Sequence, residues 1–159
     1  MGTSGSGKSS VAAALGRRLG VPHVELDALM WLPDWKERPK EEFRALLSEA
    51  LAADGWVVDG NYDGRARDLV WARVDTVVWL DLPRSTVMWQ VWRRTLSRWW
   101  SAELLWGTNR EDIVKALFTR ESILWWAWST HARNHERYAR VLTDAPFRVV
   151  HLRSRADVD

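Results

Sequence analysis

The sequence predicts an α/β domain built on a parallel sheet, and three observations carry that prediction. Helical and extended patterns alternate along the chain, β-branched runs end in turn residues, and a glycine-serine loop leads straight into an alanine-rich helix. The length agrees, because 159 residues suffice for one ordinary domain with a sizeable core.

Residues Lys8–Leu19 (KSSVAAALGRRL) are amphipathic, and Gly20 stands where a helix C-cap glycine belongs. Pro22–Leu26 (PHVEL) reads as short and extended. Lys40–Ala53 sets Phe43, Leu46, Leu47, Ala50 and Leu51 on one face, with Pro39 at the helix start. Trp56–Asp59 (WVVD) and Thr76–Leu82 (TVVWLDL) are β-branched runs and read as buried strands. Pro83 ends the second run and opens a long helix to about Trp100. Ser101–Arg110 (SAELLWGTNR) carries a Gly-Thr-Asn break and reads as a loop, part of a lid spanning roughly 99–120. A second helical stretch covers Glu111–Val141, interrupted near Thr119, and Phe147–Leu152 (FRVVHL) is the last strand.

Composition narrows the function classes. The chain has no cysteine, which excludes disulfides, thiolate metal sites and cysteine nucleophiles. No run approaches the roughly 18 apolar residues that span a membrane, and no secretory segment opens the chain, so a cytoplasmic protein without membrane partners is expected. Of 23 basic residues only Lys8, Lys36, Lys40 and Lys115 are lysines. Arginine's planar fork suits phosphate recognition, although a codon bias toward arginine reads the same way. Acidic residues interleave with the basic ones, which argues against a nucleic-acid interface. Thirteen tryptophans are present. Trp89, Trp92, Trp99, Trp100, Trp106, Trp125, Trp126 and Trp128 crowd the second half, where core and interface packing is the expectation ahead of pocket lining.

The chemistry begins at the N-terminus. Gly2-Thr3-Ser4-Gly5-Ser6-Gly7-Lys8-Ser9 matches the phosphate-binding pattern G-x-x-x-x-G-K-S/T in full, and Ser10 follows in the same turn. Backbone N–H groups must curl around a phosphate there, so glycines are needed where φ is unusual and where the ligand comes close. The following helix adds a partial positive charge at its N-terminus. These positions predict a nucleoside triphosphate site, with Lys8 on the β- and γ-phosphates and Ser9 on Mg²⁺. Such a loop follows a buried strand, and here Met1 alone precedes it. The expectation is therefore that the first strand, roughly six to eight residues, is missing from the N-terminus.

Two aspartates close predicted strands, where ligands bind in open α/β sheets: Asp27 after VEL, and Asp59 after WVV. A carboxylate there supports Mg²⁺ or takes a proton from an attacking hydroxyl; the bland reading is a turn or a helix cap. Asp81, in VVWLDLP, is the alternative magnesium ligand. His131 and His135 stand four apart and read as surface residues ahead of metal ligands.

With these residues in hand, the chain resembles the adenylate-kinase-related P-loop kinases. It is most similar to the small bacterial topology modulation proteins, or adenylate-kinase-like ATPases. GTSGSGKS, HVELDALMW, WVVDGNY, RDLVW, DTVVWLDLP, WRRTLSR, GTNRE and RESILWWAWSTH carry the resemblance over nearly the whole chain. It implies a five-stranded parallel sheet of P-loop nucleoside-kinase type, flanking helices and a mobile helical lid. In adenylate kinases a D-G-F-P-R segment follows the third strand and its arginine holds the monophosphate. Here Asn61-Tyr62 follows Asp59-Gly60, and an arginine comes only at Arg65. In shikimate-kinase-like relatives an aspartate after the second strand contacts the acceptor, and Asp27 has that location. Arg94, Arg98 and Arg110 correspond to lid arginines that neutralise developing charge. Arg93 and Arg94 cannot share one helix face, so at most one of them turns inward with Arg98.

The expected function is therefore transfer of the γ-phosphoryl group of ATP, with Mg²⁺, to an unidentified small-molecule acceptor. An ATP-binding regulator with slow hydrolysis is the alternative, and a polynucleotide kinase a third reading. Base recognition is expected in Arg153–Asp159.

Overall fold

A computed structural model describes residues 1–101, 104–105, 109–110 and 123–158. Most of the expected lid and the break near Thr119 lie outside those residues. The chain divides into two compact units, one made of Lys8–Asp75 and the other of Met1–Gly7 with Thr76–Asp159.

In the first unit, α1 covers Lys8–Leu19, as expected, and Gly20 ends it at φ +68°. Strand β1 (His23–Glu25) pairs in parallel with β4 (Val57–Asp59), with His23 opposite Val57 and Glu25 opposite Asp59. Helix α1 packs against both strands. Between the strands come α2 (Leu26–Met30), an antiparallel ribbon of β2 (Trp31–Leu32) and β3 (Lys36–Glu37), and α3 (Lys40–Ala50). Helix α4 (Asp63–Trp71) follows β4.

The predicted face of α3 is the core of this unit. Phe43, Leu47 and Leu51 are buried with Val24, Leu26, Met30 and Ala66, each large side chain contributing about 1.5–3 kcal/mol of apolar burial. Arg44 then clamps α3 to α4, giving both guanidinium NH groups to Asp68 at 2.7 and 2.6 Å and one also to the Arg65 carbonyl. Helix α3 stops at Ala50, before the expected Ala53, because Leu51 leaves the helix into a turn.

In the second unit, β5 (Thr76–Leu80) pairs in parallel with β8 (Arg148–Leu152) along its whole length. Helices α5 (Arg84–Ser101) and α6 (Ile123–Thr143) pack on each other, with Val87, Val91 and Ala127 buried beside Leu82 of the link before α5. Short strands β6 (Leu104–Leu105) and β7 (Asn109–Arg110) pair antiparallel where the sequence predicts a loop.

Two expectations need correction. The described pairings form separate two-stranded units rather than one continuous parallel sheet. Among the described residues, the other edge of β5 meets Met1 and Gly2: the Leu80 N–H donates to the Met1 carbonyl at 2.9 Å, and one parallel bridge joins Gly2 to Leu80. One bridge is too short to make a strand. For the tryptophans, the correction concerns core packing alone. Trp79 is buried, but Trp89, Trp92, Trp125, Trp126 and Trp128 are exposed, because Val87, Val91 and Ala127 occupy the inward helical phase. Trp89 stacks on Trp92 instead, and Arg84 lies over the Trp128 ring.

Candidate functional site: a glycine loop and two partnered aspartates

The loop is held by the second unit's own packing. Gly2, Gly5 and Gly7 all have positive φ, at 152°, 84° and 90°. A Cβ on Gly2 would stand 2.7 Å from Ser6 Oγ and 2.8 Å from the Leu80 carbonyl, and one on Gly5 would stand 2.0 Å from Val91 Cγ2. A Cβ on Gly7 would meet nothing within 4 Å, so that side of the loop faces open space. The Ser6 amide donates to the Thr3 carbonyl at 3.1 Å, closing the turn. Thr3 and Ser6 are both buried. Ser6 Oγ has no hydrogen-bond partner among the described residues, a costly state for a buried hydroxyl. A loop of left-handed glycines with an orphaned buried hydroxyl fits a phosphate ligand.

The chain then enters α1 at Lys8 without a break. The first-turn N–H groups, including those of Ser9 and Ser10, have no intrahelical acceptor, and both serines are exposed. Helix α1 packs on β4, which ends at Asp59.

Asp59 is buried and is bonded by His23 Nε2 at 3.1 Å from its Oδ2. The geometry follows from register. His23 pairs with Val57, and strand period 2 brings its ring to the residue two farther along. Gly60 follows at φ +136°, and a Cβ there would stand 2.6 Å from Leu26 Cβ, so glycine is required. Asp27 falls in the first turn of α2 rather than at the strand end, and Tyr62 donates to its Oδ1 at 2.6 Å. Burial first, and then the bond to Asp27, push the Tyr62 phenol above its ordinary range. Arg65 is spent elsewhere, bonding Glu37 at 2.6 Å and Met30 Sδ at 3.2 Å.

Asp81, the alternative magnesium ligand, is met by two imidazoles. His135 Nδ1 bonds its Oδ1 at 2.7 Å and His151 Nε2 its Oδ2 at 2.9 Å. Burial pushes its carboxyl up, but the two imidazole bonds together outweigh that and hold it below the usual range. His151 stacks flat on Trp79, with centroids 4.0 Å apart. His131 bonds the Leu82 carbonyl at 3.0 Å. Both helix histidines therefore tie α6 to the end of β5, a role their spacing does not announce.

Of the adjacent Arg93 and Arg94, expected from the resemblance to serve a lid, Arg94 is half-buried and Arg93 exposed, so Arg94 is the inward one. The side chains of Arg98 and Arg110 lie outside the description. His23 and Tyr62 are the residues that sequence reasoning missed. The signal for His23 is its place two residues before Glu25, which pairs with Asp59 in the observed parallel register. Tyr62 has no comparable signal. An open groove between α3 and α4, lined by Lys40, Arg44, Arg67, Asp68 and Trp71, includes none of the expected site positions. Among the described residues no cluster of three or more metal-ligating side chains occurs, and no helix is long and apolar enough to cross a membrane.

The fold and loop thus define a mixed α/β protein with parallel strands and a glycine loop feeding a helix. No protein-family model matches the chain, and no solved structure matches it. Over 114 residues it is 31% identical to the uncharacterized protein YqaC of Bacillus subtilis (strain 168), a match that covers 70% of this chain and 64% of that protein. The chain thus spans less than two thirds of its relative's length.

Proposed function

We propose that the chain is an ATP-dependent phosphotransferase of P-loop nucleoside-kinase type, acting on a small-molecule acceptor. The conformation of Gly2–Gly7 carries the reading: three glycines at positive φ share the loop with an orphaned buried hydroxyl, and the chain continues directly into α1. Oriented N–H groups of this kind bind anions without further rearrangement.

The residues have distinct tasks. The loop amides and first turn of α1 hold the β-phosphate, and Lys8 neutralises charge on the transferring group. Mg²⁺, held by the Ser9 hydroxyl with Asp59 in support, would neutralise the phosphate oxygens; the ion needs only one or two protein ligands besides phosphates and water. His23 fixes the Asp59 carboxylate, and the lid arginines, Arg94 among them, stabilise the developing charge. Asp27 orients the acceptor.

Incubation with γ-labelled ATP and a panel of acceptors tests this. Wild-type protein labels one acceptor and Lys8→Ala labels none. Undiminished transfer by Lys8→Ala contradicts the assignment.

A further inference from the structure

We infer that the groove between α3 and α4 is a binding site for a small monocarboxylate with an apolar body, gripped by Arg67 and Lys40. The groove lies wholly within the first unit, and the inference is independent of the phosphotransferase reading.

Its walls are fixed from below and from above. Phe43 and Leu47 of α3 and Ala66 of α4 are buried in one core cluster. At the surface, Arg44 of α3 holds Asp68 of α4 through two bonds, at 2.7 and 2.6 Å. The space between the helices is about 910 Å³, within the range that small-molecule sites occupy. Walls already in place spare a ligand the cost of ordering them.

The charges select the kind of ligand. Lys40, Arg44 and Arg67 line the groove as cations, and Glu41 and Asp68 as anions. Asp68 accepts from Arg44 with both carboxylate oxygens, so that pair is neutral toward a ligand. Lys40 and Arg67 are then opposed by Glu41 alone, which leaves one positive charge in excess. A monoanion matches that excess, whereas a phosphate dianion brings a second charge against Glu41.

Arg67 is held differently from its neighbours. Arg38, Arg44 and Arg65 each donate to a carbonyl or a carboxylate. The Arg67 Cζ instead stands over the Trp71 ring, 3.9 Å from its centroid. That attraction acts through the ring face and spends none of the guanidinium's N–H bonds on an oxygen. It keeps the fork against the indole, ready for two parallel N–H···O bonds to a carboxylate. The indole beside it is an apolar wall for the rest of the ligand. Lys40, exposed at the start of α3, adds a point charge on a flexible stem. Gly64 keeps the groove open, since a Cβ there would meet nothing within 4 Å.

Calorimetric titration of the full chain with benzoate, benzamide and phenyl phosphate tests this. Benzoate is expected to bind saturably, one to one, and benzamide not to bind. Arg67→Gln weakens benzoate binding by about tenfold or more, and Lys8→Ala leaves it unchanged. Gly64→Leu places a side chain in the groove at a position where helix propensity favours it over glycine, and abolishes binding. That variant keeps the test decisive if Arg67→Gln fails to fold. Undiminished benzoate binding by either folded groove variant overturns the proposal, as does a wild-type chain that binds no benzoate. Benzamide bound as tightly as benzoate overturns recognition by charge. Phenyl phosphate bound more tightly than benzoate by Lys8→Ala protein overturns the carboxylate class. Benzoate binding lost in Lys8→Ala but kept in the groove variants assigns the anion to the glycine loop and overturns the groove.

Discussion

At the residue scale, the three loop glycines share a backbone requirement but not a steric one. Gly5 sits against Val91, where a Cβ would come within 2.0 Å of Cγ2 at φ +84°, whereas Gly7 at φ +90° has open space around it. Gly5→Ala is expected to lose overpacking and left-handed strain together, about 3 kcal/mol. Gly7→Ala bears the strain alone, about 1–2 kcal/mol. Thermal unfolding of the two variants checks the order, and a Gly7→Ala protein less stable than Gly5→Ala would contradict it. The glycine spacing is legible in the sequence because the chemistry fixes it locally. Val91 is not, because its approach to Gly5 joins residues 86 positions apart. The same holds for Tyr62 and Asp27, whose bond depends on how α2 and the turn after β4 face each other.

At the element scale, α3 shows what periodicity can supply. Its apolar spacing names Phe43, Leu47 and Leu51, which are buried. Leu47→Ala should therefore cost about 2–5 kcal/mol in denaturant unfolding, a core cavity's range. Helix α4 is less legible because it is short, carries Gly64 and alternates charges (DGRARDLVW). Its anchorage is electrostatic in part. The hydrogen bonds from Arg44 first, followed by its charge, push Asp68 down to about 2. A depressed carboxyl stabilises the fold above its unfolded value and loses that contribution as pH falls through its folded one. The difference in melting temperature between wild type and Asp68→Asn should be present at pH 6 and vanish as pH is lowered toward 2. A difference that stays constant across that window would contradict the role. The pair is exposed, so the effect is modest and shrinks in salt.

At the scale of the whole molecule, the α/β class is legible and the sheet is not. Alternating helical and extended runs set the class, and WVV, TVVWL and RVVHL are strands in substance. Pairing is a long-range choice: β1 finds β4 and β5 finds β8, while Met1 and Gly2 supply one bridge to Leu80. The exposed tryptophans are a further case, since composition counts rings and only helix phase decides which face they take. Asp81 illustrates the gain from tertiary context. Read alone it is a strand-end carboxylate; in the structure it is the acceptor for two imidazoles that join α6 and β8 to the end of β5.

On the proposed reading, Gly2–Ser9 binds a nucleoside triphosphate. Calorimetric titration of the wild-type chain and Lys8→Ala with ATP and Mg²⁺ tests it most directly. Saturable one-to-one binding that weakens by about tenfold or more in Lys8→Ala is the predicted result. Binding of equal strength in the two proteins, or none in a folded wild-type chain, would contradict it.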